Sequence, residues 1–288
     1  MLLKPHLKKI LFLLISFLLV RCSSEVEDNK TDTNQDGSAD EAFDTLTLKE
    51  ETAKFFYSLP SPVAIAVIFR SSGLKYVEGI TNNPTNVSKY STIQKKALNL
   101  GVYNADLSYT VLNKQNQHAV DFLDAVSTLS GGLGMGSIFQ SENYFERFKQ
   151  NIGNEDSLSN LISDLKMEAD AFMYDNDKQN TALFIFTGVW VESIYISTQL
   201  TKNKYDERIA LLVVEQKYNL DKMMHLLTDY EKDPEFEKLY LYLNSLKAVF
   251  DRVVTKGDNE EPKIIVTERD FKEITEKVQL IRSKIINN

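Results

Sequence analysis

The sequence predicts an all-α protein, a single multi-helix bundle of about eight to ten helices that follows a disordered tether. Three observations predict it. Apolar residues step by three and four along most of the chain from Phe43 onward, which is the period of an amphipathic helix. No alternating run of strand length recurs. No Pro-, Gly- or Ser-rich break divides residues 43–288, so they are read as one domain.

The elements follow in chain order. Ser61-Pro62 starts a short helix through Ile68 that Gly73 ends, and Asn82-Asn83-Pro84 reads as a loop. A long helix is expected from about Ser88 through Gly101 toward Asn113, and another over residues 117–130. The stretch Gly131-Gly132-Leu133-Gly134-Met135-Gly136 has neither the dinucleotide spacing nor the phosphate-loop Gly-Lys-Ser/Thr, and reads as a hinge whose apolar flankers Leu133, Met135, Ile138 and Phe139 could touch a partner or a membrane. After an Asp156-Ser157 cap, Leu158, Leu161, Ile162, Leu165, Ala169 and Phe172 make one stripe.

Residues 182–200 are apolar on all sides in their first half, yet contain Glu192 and a polar end, which marks a central buried helix rather than a membrane span. Ile209 through Leu227 read as a single helix. Asp233-Pro234 offers a cap and a first-turn proline for the helix Phe236 to Val253. Ile264 to Thr267 could be extended. Phe271, Ile274, Val278, Ile281 and Ile285 form the stripe of the last helix.

Before that body lies a different chemistry. Lys4, Lys8 and Lys9 precede the apolar run Ile10 to Val20, which stops at Leu19-Val20-Arg21-Cys22. A positive start and an apolar core too short to span a bilayer make an export signal over residues 1–21. The end of the run resembles the lipobox of bacterial lipoproteins, with Arg21 departing from the small residue usual before the cysteine. The resemblance implies that Cys22, the single cysteine of 288 residues, carries a thioether diacylglycerol and an acyl chain such as palmitate. A lone thiol has no internal disulfide partner, and lipidation accounts for it. The alternative is an uncleaved signal anchor with an incidental cysteine. Partners implied are a membrane, through the lipid on Cys22, and an envelope protein. The expected location is the cell envelope, facing the periplasm or the cell surface.

Loss of residues 1–21 removes Lys4, Lys8, Lys9 and Arg21 and no acid, so the formal charge moves from −8 to −12. Such a balance argues against nucleic acid as a partner and against adhesion to anionic lipid, both of which require clustered Lys and Arg. With 43% hydrophobic and 10% aromatic residues the remainder can bury a core.

Residues 22–42 are acidic and polar and are expected to be a flexible tether. The acids just after Cys22 resemble the surface-export tag of some Gram-negative lipoproteins. Within the tether, Asp32, Asn34, Asp36 and Asp40, with Gly37 between, resemble the calcium loops of EF-hands and dockerins. Phe43 stands where the bidentate carboxylate belongs, so calcium binding is expected to be weak, at about 10⁻⁴–10⁻³ M; a solvated acidic spacer is the alternative. No other cofactor is implied.

Within the body, Asp106 lies between Val102 and Tyr109 on an apolar face, and Glu192 lies among Val189, Tyr195 and Ile196 beside Trp190, the only tryptophan. Buried carboxylates must be paired, hydrogen-bonded or neutralised. Asp106, Tyr109, Trp190, Glu192 and Tyr195 are therefore the candidate ligand site, for a carrier or for an enzyme using the two acids as an acid/base pair. The alternative is that both acids simply fix packing. His118 with Asp121 and Asp124, and His225 with Asp221, are too sparse for a transition-metal site. Asp164 and Glu168 read as a solvated face.

Asn99-Leu-Gly101-Val-Tyr103 resembles the first helix of a tetratricopeptide repeat, but no period near 34 recurs. The segments 97–109 and 188–195 are similar to stretches of uncharacterised helical envelope lipoproteins, a resemblance that implies no activity. The expected function is a non-catalytic binding or assembly module.

Overall fold

The computed structural model describes residues 66–67, 70 and 75–287, except 142, 203, 235 and 257–261. Cys22 and the calcium-loop residues Asp32, Asn34, Asp36 and Asp40 lie outside the described residues, as do the tether and most of the helix expected from Ser61. The rest is all-α. Ten α-helices follow a 3₁₀ turn over Pro84–Lys89: α1 (Ile93–Leu112), α2 (Asn116–Gly132), α3 (Gly136–Ser141), α4 (Tyr144–Gln150), α5 (Glu155–Asp175), α6 (Gln179–Leu200), α7 (Glu207–Val214), α8 (Lys217–Leu227), α9 (Glu237–Val253) and α10 (Glu268–Asn287). Between α9 and α10, β1 (Val254–Lys256) pairs antiparallel with β2 (Pro262–Ile264). The extended stretch expected over Ile264 to Thr267 coincides with β2 only at Ile264, since the strand ends there.

Helix starts are set by capping side chains. Thr92 Oγ1 accepts from Lys95 N at 3.3 Å to start α1. Asn154, not Asp156 or Ser157, caps α5, accepting from Ser157 N at 3.1 Å. Thr267 and Asp270 cap α10 reciprocally, each side chain accepting from the other's backbone N–H. The single helix expected over Ile209–Leu227 is two, α7 and α8, broken at Glu215-Gln216. Gln216 N donates back to Val213 O at 3.1 Å, a tightened turn that ends α7 before Lys217 starts α8. The glycine stretch spans the end of α2, a turn at Leu133–Met135 and the start of α3. Gly134 takes φ +81°, and Met135 N donates back to Ser130 O at 2.8 Å, closing the helix end. Its flankers Leu133, Met135 and Ile138 are buried in the core, so they are not free to meet a partner or a membrane.

The core is organised around α6. This helix is long and apolar enough to cross a membrane by composition, but 83% of its most apolar window is buried inside the fold, as befits a central helix. Trp190 is fully buried against Phe250 of α9, ring centres 6.0 Å apart. Val191 and Ile194 are likewise sealed. Each such side chain contributes about 1.5–3 kcal/mol.

The principal partner of α6 is α1, and the two run side by side in the same direction. Gly101 meets Gly188, Asp106 meets Glu192, and Tyr109 and Leu112 share a cleft with Ile196 and Leu200. Gly101 and Gly188 let the backbones touch. A Cβ on Gly101 would overlap the Ile185 carbonyl oxygen, and one on Gly188 would overlap that of Leu98. Both neighbours are backbone, so relief requires the helices to part.

Gly101→Ala and Gly188→Ala are each expected to lower stability by about 3 kcal/mol or more, a Tm fall of roughly 6–12 °C by scanning calorimetry. Gly131→Ala, at a helical position with nothing within 4 Å of the new Cβ, should raise stability by about 0.5–1 kcal/mol. Equal effects at the three positions would refute the backbone contact between α1 and α6.

Candidate functional site

One turn beyond the glycine contact, α1 and α6 bring two acids together. Asp106 and Glu192 are both fully buried, and their carboxyl groups lie within hydrogen-bonding reach of each other. The third member comes from α10. Arg282 Nε donates to Glu192 Oε2 at 2.8 Å and Nη2 donates to Oε1 at 3.0 Å, a bidentate pair. The guanidinium also lies over the Tyr195 ring, 4.1 Å from its centre.

Charge balance assigns the proton. One guanidinium compensates one carboxylate, and Glu192 takes it. Asp106 Oδ2 accepts from Asn82 N at 3.0 Å, while Oδ1 is buried with no donor in reach. Burial, and then the Glu192 charge beside it, push the Asp106 carboxyl well above the ordinary carboxylate range. A protonated Asp106 donates to Glu192 and leaves no orphaned oxygen.

The cluster's outward hydrogen bonds all go to the protein's own chain. Residues 77–83 are laid along α1 by successive contacts. Val77 N donates to Tyr109 Oη at 2.8 Å, and Tyr103 Oη donates to Asn83 O at 2.9 Å. Arg282 Nη2 donates to Ile80 O at 3.0 Å, between the bonds at Val77 and Asn82. Asn82 Nδ2 reaches Tyr90 Oη at 3.0 Å. Tyr76 stacks on Tyr109, ring centres 5.3 Å apart. Burial pushes the Tyr109 hydroxyl up to about 12.

Of the five residues singled out from sequence, then, Asp106, Glu192 and Tyr195 converge around Arg282, and Tyr109 joins them through the 77–83 strap. Trp190 does not; it faces α9, and its Nε1 is buried without a partner. Among the described residues, the three clefts lined by Leu100 and Ile162, by Ala66 and Leu112, and by Tyr76 and His118 do not include Asp106, Glu192 or Trp190. Sequence reading missed Arg282, although it falls on the same α10 stripe as Ile274, Val278, Ile281 and Ile285 and is the one charge there.

Elsewhere, His118 and His225 are exposed, and His118 Nδ1 lies 3.4 Å from Tyr76 Oη. Among the described residues no three metal-ligating side chains gather. Asp164 and Glu168 connect two helices rather than only facing water: Tyr144 Oη of α4 donates to Glu168 at 2.7 Å, and Arg147 lies 3.9 Å from Asp164.

An open site lies on the opposite flank of the glycine contact. A cleft of about 760 Å³, measured out to solvent, sits between α1, α2, α5 and α6 and is closed at one end by α3. Its walls are apolar, with Leu100, Val126, Ile162, Phe186 and Val189 among them, and its polar groups are Asn104, Ser130, Lys166 and Asp170. Lys178 Nζ donates to Leu133 O at 2.8 Å, tying the α5–α6 turn to the α2–α3 turn at the cleft's edge. Sequence reading missed this site because its walls come from five helices. No protein-family model matches the chain, and no curated protein or solved structure shows significant similarity to it.

Asp106 supplies a test with a defined sign. Below the ordinary carboxyl value of about 3.9, folded and unfolded chains both hold the proton. Above it the unfolded chain releases a proton that the fold retains, so Asp106's contribution is lost as pH rises, by up to about 1.4 kcal/mol per pH unit. Asp106→Asn keeps an acceptor for Asn82 N and a donor for Glu192. In urea titrations it should match the wild type near pH 4 and exceed it at pH 8; an equal loss at both would mean an ionised Asp106. Glu192→Gln strands the Arg282 charge and should cost about 3–5 kcal/mol.

Proposed function

We propose that the protein is a lipid-anchored component of the cell envelope, tethered through Cys22, whose helical body is a non-catalytic binding or assembly module. The observation that carries the non-catalytic reading is the burial of its acid pair. Glu192 is fully buried and held by Arg282, and Asp106 is fully buried between Glu192 and Asn82 N. An acid/base pair must reach the proton it transfers, directly or through one water; these two reach each other and the 77–83 strap. The apolar run, the single cysteine at its end and the acidic stretch that follows support the anchor. Two acyl chains would hold such a body at a membrane without a spanning helix.

The carrier reading retains support from a different place than sequence suggested. It is favoured by the apolar cleft beside α5, not by the surroundings of Trp190.

Metabolic labelling with an alkyne fatty acid tests the anchor. The wild type should take up label and sediment with membranes, whereas Cys22→Ser should lose the label and become soluble after export; label persisting on the variant would overturn the reading. Turnover of an ester, phosphoester or glycoside that Asp106→Asn abolishes without loss of folding would overturn the non-catalytic assignment.

A further inference from the structure

Between the 77–83 strap, with its flanking Tyr76 and Pro84, and the first turns of α2 lies another cleft, of about 410 Å³. That falls within the range of small-ligand sites, roughly 300–1,000 Å³. The apolar cleft beside α5 offers only about 70 Å³ once open solvent is set aside. One wall of the strap cleft is irregular chain held by buried groups. Residues 77–83 form neither helix nor strand. Instead, Tyr109 Oη accepts from Val77 N and donates to Val77 O, Arg282 donates to Ile80 O, and Asp106 accepts from Asn82 N. Gly79, at φ +80° with nothing within 4 Å of where a Cβ would stand, turns the chain after Glu78. A wall fixed before its guest arrives spares binding the entropy of ordering a loop.

The side chains around this cleft present a mixed set of hydrogen-bonding groups. Glu78 and His118 are exposed and Asp121 is half-buried, so solvent reaches all three. Asp121 Oδ1 accepts from Gln117 Nε2 at 3.0 Å, which leaves Oδ2 as an acceptor. Asn83 Oδ1 is engaged by Thr85 N and Oγ1, which leaves Nδ2 as a donor. The Tyr76 ring has one face on Tyr109 and its hydroxyl 3.4 Å from His118 Nδ1, and it lines the cleft. No Lys or Arg is among the described lining residues, so the two carboxylates turn an anion away. Polar walls disfavour a hydrocarbon. A simple ammonium offers donors only, which suits Glu78 and Asp121 but not Asn83 Nδ2. Vicinal hydroxyls, each a donor and an acceptor, suit all three, and the C–H face of a sugar ring suits the Tyr76 ring. We propose that this cleft binds a neutral saccharide, held between the strap and α2 by Glu78, Asn83 and Asp121 and packed against Tyr76. The inference rests on the reading of the body as a binding module and names the chemistry of what it binds.

The test is isothermal titration calorimetry on the purified full-length chain, kept in a detergent without a sugar head group. Maltose, cellobiose, mannobiose and diacetylchitobiose are the probes, with cadaverine and digalacturonate as the charged controls. At least one neutral disaccharide should bind saturably, with an affinity that holds from about 0.05 to about 0.5 M NaCl, where attraction between exposed charges is screened. Glu78→Gln and Asp121→Asn should each weaken it by roughly tenfold or more, the value of one hydrogen bond to a charged group. Asp121→Arg, which lays a long side chain across the cleft, should abolish binding while keeping the wild-type circular dichroism spectrum; should it fail to fold, Glu78→Arg, at an exposed position, serves as the second block. Unchanged sugar binding in a folded blocked variant would overturn the cleft as the site. Cadaverine binding that salt abolishes, with no response to any sugar, would overturn the saccharide in favour of a plain ionic contact. No response to any of the probes would overturn the proposal and leave the membrane anchor, read out by labelling at Cys22, untouched. Cleavage of the bound disaccharide would uphold the site and overturn the non-catalytic reading instead.

Discussion

The backbone contact between Gly101 and Gly188 is the constraint on which the rest of the structure depends. Helices that meet through ordinary side chains keep their axes about 8–10 Å apart; two glycines facing each other remove that spacer. Because α1 and α6 also run in the same direction, the residues that follow the glycines come into register, and a carboxyl group on each helix is forced against the other. The contact has two flanks. On one side the helices enclose Asp106 and Glu192; on the other they form the wall of the apolar cleft. A single close approach therefore places both the buried charges and the apolar cleft of the body.

Two acids pressed together in a core are tolerable only if their charge is removed, and the fold removes it in two ways. Arg282 compensates Glu192 in bidentate geometry, and Asp106 keeps its proton. Buried ion pairs contribute little net stability against an apolar replacement but penalise any state in which one partner is missing. The cluster therefore selects one arrangement of α1, α6 and α10. It also selects one path for residues 77–83, whose backbone groups pair with Arg282, Asp106, Tyr103 and Tyr109. What a sequence reader takes for a ligand site has the protein's own chain as its ligand.

The all-α class and most helices were legible because periodic apolar stripes are local. The α10 stripe and the buried character of α6 follow directly from residue spacing. Boundaries shifted where a nearby side chain outcompeted the expected cap, as Asn154 does at α5, or where a turn tightened within one apolar stripe, as at Gln216 between α7 and α8. The pairing of Asp106 with Glu192 could be suspected, since both sit on apolar faces; Arg282 was hidden among surface-like charges of its helix. The partnership of Gly101 with Gly188 and the five-helix cleft were not legible, because each depends on contacts between residues far apart in the chain, about which local spacing carries no information.

The linked positions have a bearing on how kin of this chain could be found. A Cβ at Gly101 or at Gly188 would strike the opposite helix's backbone, and the buried Glu192 charge is compensated by Arg282. Neither glycine can enlarge without the helices parting, and loss of Arg282 leaves a buried charge uncompensated. A lineage too divergent for overall resemblance should therefore still be recognisable by a sparse fingerprint: a glycine five residues before an aspartate on one apolar helix, a glycine four residues before a glutamate on the next buried one, and an arginine within the final amphipathic stripe.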